Sequence, residues 1–260
     1  TGLITETQYL EMIAKTINQV LAGPGRLKQS IAQSSFDAWT RFYKQDENSP
    51  NAIVSYYAKG ALAALGLDLT IRQATGNSRS LDDVMALLWQ RYGRDFYARD
   101  PQDRIGLAET AMPSLIQEAT GVDVSAAIAA WIEGTADIPL AELLAPQGIR
   151  LDHSRPEHAA PSLGVVTRRQ GSDLVLRTVY EHGPAHEAGL SAGDALVAIN
   201  GLRVTDDSKL DDLLSRYQPG QTITLHVFRR DELRRFALTL AAAPVAVRLQ
   251  RAAIQHPGSV

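Results

Sequence analysis

Residues 183–194 read Gly183-Pro184-Ala185-His186-Glu187-Ala188-Gly189-Leu190-Ser191-Ala192-Gly193-Asp194, followed closely by Ile199-Asn200-Gly201. Proline can open a short helix because its missing N–H costs nothing in the first turn, and Gly189 can close it. Leu190 then plugs a core, Gly193-Asp194 turns the chain into a strand, and Asn200-Gly201 makes the tight turn to the next. Around this stretch the apolar residues alternate. Strands are expected at 148–151, 164–167, 174–179, 195–199, 222–228 and 235–240, with one helix at about 208–217 ended by Pro219-Gly220. The tail after Pro244 carries no strong signal and reads as frayed.

This pattern resembles the centre of a bacterial PDZ domain, over roughly residues 148–243. The resemblance implies a small β-barrel with two helices that takes an extended peptide as an added strand at an open sheet edge. Its carboxylate-binding loop would fall on Ser162-Leu163-Gly164-Val165, where Leu163, Gly164 and Val165 offer backbone N–H groups. The groove would lie between 165–167 and the helix bearing Leu210, Leu213 and Leu214. Ser162 and Val165 depart from the commonest Gly-Leu-Gly-Phe form of that loop. Two expectations therefore stand side by side: a C-terminal peptide in the groove, or a domain that packs on its own chain.

Upstream of Gly148 the period is helical instead. Thr5 or Thr7 can cap a first helix running to Ala22, which Gly23-Pro24-Gly25 ends. Phe36, Trp39, Phe42 and Tyr43 recur at helical spacing and are expected in the core. Ser49-Pro50 starts another helix, with Val54, Tyr57, Ala61, Ala64 or Leu65, and Leu69 on one apolar face. Gly76-Asn77-Ser78-Arg79-Ser80 is a stop and a restart, leading to a helix carrying Val84, Leu87, Leu88 and Tyr92. Helices at about 107–120 and 123–133 and a short turn at 139–144 complete this half.

The tyrosine-bearing stretch Asp46-Glu47-Asn48-Ser49-Pro50-Asn51-Ala52-Ile53-Val54-Ser55-Tyr56-Tyr57-Ala58-Lys59-Gly60-Ala61 resembles the segment following the zinc site in the glycyl aminopeptidase family. Ser35-Phe36-Asp37-Ala38-Trp39 and Leu67-Asp68-Leu69 extend the likeness in the same order over most of residues 1–150. The family joins a thermolysin-like zinc metallopeptidase domain to a PDZ domain. By this resemblance Tyr57, within Tyr57-Ala58-Lys59-Gly60-Ala61, points at the metal site and donates a hydrogen bond to the oxyanion of the attacked peptide carbonyl. Tyr56, about 100° around the helix, is the competing assignment. Gly60 and Ala61 would let the helix backbone approach its neighbour.

The family's His-Glu-x-x-His helix is absent. None of the six histidines lies in the first 152 residues, and a catalytic zinc needs about three protein ligands. No metal ligand is therefore assigned in this chain. Zinc is expected in a full-length enzyme whose missing N-terminal catalytic half carries the ligands, and this chain, as a C-terminal fragment, is expected to be inactive alone. His182 and His186 do not make a metal pair, because Gly183-Pro184 breaks the helix they would need. His153 and His158, near Asp152 and Glu157, read as a polar crossing.

The expected architecture is multidomain α and β: a helical subdomain of a metallopeptidase at 1–146, a PDZ domain at 147–245 and a tail at 246–260. Cysteine is absent, which excludes disulfides and thiolate metal sites and leaves the compartment open between cytoplasm and periplasm. The chain has 13 basic and 17 acidic residues through Arg150, then 13 and 12, so neither half suggests nucleic acid. No apolar run is long enough to span a bilayer. The implied partners are a peptide substrate, a C-terminal peptide in the PDZ groove, and the missing catalytic half. The competing function is a helical and PDZ interaction module without an active site. A serine protease with a PDZ tail is disfavoured by the lack of a Gly-x-Ser-x-Gly elbow.

Overall fold

The computed structural model describes residues 2–154 and 160–252. Helix α1 (Glu6–Ala22) starts with a capping box in which Thr5 accepts from the Gln8 amide, so Thr5 and not Thr7 is the cap. Helices α2 (Ile31–Phe36), α3 (Ser49–Ala52) and α4 (Tyr56–Ala74) follow. The single helix expected from Ser49 onward is thus broken. Ile53 and Val54 run extended, and Ser55 caps α4 by accepting from the Ala58 amide. The break has a tertiary cause: Gly25 lies so close to Ile53 that a Cβ there would collide with the Ile53 carbonyl and amide.

Helix α4 is the central strut. Lys59, Leu62, Ala63, Gly66, Leu67, Leu69 and Ile71 are buried, a broader face than the one stripe expected through Tyr57 and Ala61, both of which are exposed. Leu62 and Leu69 pack with Ile17 and Val20 of α1. On another side, Leu67 and Ile71 pack with Val84 of α5 (Leu81–Leu88), Ile116 of α6 (Met112–Thr120) and Ile128 of α7 (Ser125–Ile128). Ser80 caps α5 in a capping box with Asp83, as its sequence predicts. Tyr92 falls beyond α5 in a π turn at Trp89–Gly93, and a second π turn at Ala129–Glu133 extends α7. Helix α8 (Leu140–Leu144) contributes Leu140 and Leu144 to the α1/α4 core.

Strand β1 (Ile149–Ser154) departs from expectation, because it stays with the helices. It pairs antiparallel with the last strand, β10 (Ala246–Arg251). Ile149, Leu151, Val247 and Leu249 cover the α1/α4/α8 core, and the Asn18 carboxamide pairs with the Val247 backbone in both directions at 2.9 and 2.7 Å. The segment after Pro244, expected to fray, is therefore a strand as far as Arg251.

Between these two strands lies the PDZ domain. Strand β2 (Pro161–Ser162) pairs with β9 (Ala241–Ala242). The main sheet runs β3 (Val165–Gln170), β4 (Asp173–Val179), β5 (Ala195–Ile199), β7 (Thr222–Arg229) and β8 (Glu232–Thr239), with β6 (Leu202–Arg203) beside β5. Helices α9 (Pro184–Glu187) and α10 (Asp207–Leu214) complete it. Leu163, Leu174, Leu176, Leu190, Ile199, Leu210, Leu213, Ile223, Leu225 and Val227 share one core. Asp194 of the quoted signature is only 1% exposed. Its carboxylate accepts two bonds from the Arg229 guanidinium at 2.7 Å and one from the Ser191 amide at 2.9 Å.

Candidate functional site

Because Ser55 caps α4, Tyr56 and Tyr57 stand in the first turn of a 19-residue helix, at its positive end. Tyr56 is half-buried and Tyr57 is 60% exposed. Their rings stack with centroids 4.3 Å apart. A third phenol, Tyr43, reaches over from the 3-10 turn Phe42–Lys44. Its hydroxyl lies 2.8 Å from that of Tyr57 and 3.0 Å from that of Tyr56. Phe42 edges onto Tyr56 at 5.0 Å, and Trp39 lies 5.2 Å from Tyr43. Hydrogen bonding from Tyr43, then from Tyr56, pulls the Tyr57 hydroxyl below the ordinary phenol range. The same links, Tyr43 first, push Tyr56 upward.

The aromatic run expected in the core is on the surface instead. Phe36 is 91% exposed and Trp39 79%, since α2 ends at Phe36 and its buried positions belong to Ile31 and Ser34. Sequence reasoning assigned no function to Tyr43. Spacing holds no signal for it, because its link to Tyr57 depends on the connection between α2 and α3, which holds only a short 3-10 turn.

Lys59, two residues beyond Tyr57, points the opposite way. Its ammonium is wholly buried and donates to the carbonyls of Arg26 at 3.1 Å and Thr135 at 3.0 Å. Burial lowers its pKa, partly opposed by Asp137. Two backbone carbonyls thereby fix the rotation of the first turn of α4, and with it the outward direction of Tyr57. Gly60 does face a neighbour, Ile31 of α2, whereas Ala61 is exposed and allows no such approach.

In the PDZ domain, β3 is one of the two edge strands of the main sheet, β8 being the other. Gly164 has φ +71°, and a Cβ there would press within 3.1 Å of Gly183 and Pro184, so this loop position requires glycine. The Gly164 amide donates to the Ser162 hydroxyl at 3.0 Å, so one of the N–H groups expected to face a carboxylate is already engaged. Leu163, Leu210 and Leu214 are buried in the domain core, and Val165 packs against that core. Thr167 of β3 hydrogen-bonds Asp207 at the start of α10, tying edge strand to helix.

The two bodies meet at Asn51 of α3, which is 2% exposed. Its amide nitrogen donates to the Val179 carbonyl at 2.9 Å and to Asn48 at 3.0 Å, while its oxygen accepts from the Glu181 amide at 3.1 Å. Lys28 pairs with Glu181 alongside. Beside this joint a cleft of about 450 Å³ separates Gln45, Asp46 and Glu47 from Arg168, Arg177 and Gly193.

Among the described residues, no group of three or more His, Cys, Asp or Glu side chains is arranged to hold a metal ion. His182, just before α9, and His186, within it, lie edge to face at 6.0 Å near Glu187, all three exposed. His153 is exposed on β1, while Glu157 and His158 lie outside the described residues. No helix of the described chain is long and apolar enough to cross a membrane.

Residues 1–63, which include all three clustered tyrosines, match the family model of the M61 glycyl aminopeptidases, and residues 161–240 match a PDZ domain model. A solved aminopeptidase N family protein from Idiomarina loihiensis superposes on 96% of this chain with a TM-score of 0.87 at 35% identity. The chain fits the glycyl aminopeptidase family with a PDZ domain. It spans 43% of the length of the Idiomarina protein. Shorter likenesses run to DegP-like periplasmic serine endoproteases. The Brucella suis protein is 32% identical over 85 residues, 33% of this chain and 16% of its own length. The Halomonas elongata protein is 37% identical over 62 residues, 24% and 13% respectively.

Proposed function

We propose that this chain supplies the tyrosine-bearing wall and the PDZ domain of a zinc aminopeptidase that removes N-terminal residues from peptides. The observation that carries the reading is the position of Tyr57. An exposed phenol with a lowered pKa stands on the first turn of a pinned helix, inside the segment that matches the M61 family. A phenol shifted down in this way is a stronger hydrogen-bond donor. It suits the oxyanion that develops when water attacks a peptide carbonyl. Tyr57 is therefore assigned to that oxyanion, and Tyr56, half-buried behind it, is not.

The described residues do not fit zinc, so in this proposal its ligands belong to the remainder of a longer protein. The preference for glycine and other small N-terminal residues rests on family likeness. The PDZ edge strand β3 takes an extended peptide, with the terminal carboxylate at the loop Leu163, Gly164 and Val165, where the Gly164 amide exchanges the Ser162 hydroxyl for the carboxylate, and with the side chains over Leu210 and Leu214.

Release of the N-terminal residue from aminoacyl amides bearing Gly, Ala, Leu or Phe tests this. The longer protein should cleave them, Gly and Ala fastest, and lose activity to a chelator, while this chain alone releases nothing. An inactive longer protein, or equal release by this chain alone, would overturn the reading.

A further inference from the structure

We propose that Tyr43 is a positioning residue, whose hydroxyl bridges those of Tyr56 and Tyr57 and fixes the direction in which Tyr57 offers its proton. This rests on the proposed role of Tyr57. The three hydroxyls form a row, Tyr56 to Tyr43 at 3.0 Å and Tyr43 to Tyr57 at 2.8 Å. Each hydroxyl carries one proton and accepts on its lone pairs. Three protons and two links leave one proton over. When Tyr56 donates to Tyr43 and Tyr43 to Tyr57, the surplus proton sits on Tyr57, the exposed end. The opposite polarity would leave it on Tyr56, behind the Tyr57 ring. Only the first arrangement presents a donor to an incoming oxyanion.

Two further observations support that polarity. Tyr57 titrates low and Tyr56 high, as expected when Tyr57 is the receiving end of the row. The groups bearing on Tyr57 are the hydroxyls of Tyr43 and Tyr56, with no carboxylate or cation among the causes. Tyr43 is itself held in place. Its amide donates to the Ala38 carbonyl at 2.9 Å, and its ring sits between Trp39 at 5.2 Å and Phe42 at 5.5 Å. A partner fixed this way costs little to orient when the reaction needs it.

The test uses Tyr43→Phe, which keeps the ring and removes only the bridging oxygen. In this chain, carbon NMR of labelled tyrosines follows the Tyr57 titration, with Tyr57→Phe to identify its signal and Tyr9→Phe as a control outside the cluster. The Tyr57 midpoint should move upward in Tyr43→Phe and stay in place in Tyr9→Phe. In the longer enzyme, Tyr43→Phe should lower kcat roughly tenfold with KM little changed, as a loss confined to the transition state. An unmoved Tyr57 titration, or a fall in KM-dependent binding with kcat intact, would overturn the proposal. If the titration moves but no form of the longer protein cleaves peptides, the hydroxyl row stands and the aminopeptidase reading falls.

Discussion

The Asn51 carboxamide holds the Val179 carbonyl at 2.9 Å across the joint between the helical body and the PDZ domain. Since its oxygen also takes the Glu181 amide, it reads that backbone as a neighbouring strand would. The Tyr180 amide between them donates to the Gly164 carbonyl at 2.9 Å. One buried side chain thus links the Gly164 loop to the segment that leads into Tyr56 and Tyr57. Asn51→Ala would leave a buried donor and acceptor unpaired and should cost about 2 kcal/mol. Urea denaturation should show the loss, and hydrogen exchange at the Glu181 amide should accelerate. Unchanged exchange would contradict the clamp.

Lys59→Met removes the ammonium that donates to two carbonyls, those of Arg26 and Thr135. The methionine fills the space without donating, so a loss of about 2 kcal/mol is expected. Because the first turn of α4 is then no longer pinned, the stacked Tyr56 and Tyr57 rings should also change their near-ultraviolet circular dichroism. A stability loss with an unaltered aromatic spectrum would separate Lys59 from the orientation of Tyr57.

Acid should loosen the domain joint. Lys28 holds the Glu181 carboxyl below its ordinary 4.5, helped by His182 and His186. A depressed carboxylate pKa contributes stability that is complete above the unfolded value and is lost as pH falls through the folded one. Interdomain proteolysis should therefore rise as pH drops below that range, and Lys28→Met should show the raised rate already at neutral pH. A pH-independent rate in the wild type would contradict this.

Arg229→Met strands the buried Asp194 carboxylate, which has lost its two-pronged partner. Breaking such a pair costs about 3–5 kcal/mol. Calorimetry should show the PDZ transition moving down while the transition of the helical body stays. A joint shift of both would indicate that the two bodies unfold as one.

Much of this was legible in local sequence. Ser80 caps the helix it was expected to cap, Thr5 is the one of two candidates that caps the first, and the 183–201 stretch forms the short helix, buried Leu190 and tight turn its residues call for. What escaped depends on distant partners. The segment 246–251 becomes a strand only because β1 and α1 receive it. The Ser49 helix stops at Ile53 because Gly25 comes from another part of the chain. Trp39 and Tyr43 have helical spacing without a helix, so their periodicity pointed to a core while the fold set them outside. The tyrosine pair was singled out by likeness alone, and the proposal that prefers Tyr57 to Tyr56 rests on their exposures and on the bridging hydroxyl of Tyr43.

The measurement that bears most directly on the central claim is the turnover of Tyr57→Phe in the longer enzyme, with metal content and folding monitored in parallel. Loss of one oxyanion donor should lower kcat by roughly 10²- to 10³-fold, with metal content and melting temperature unchanged and Tyr56→Phe much less affected. Wild-type turnover in Tyr57→Phe would contradict the account.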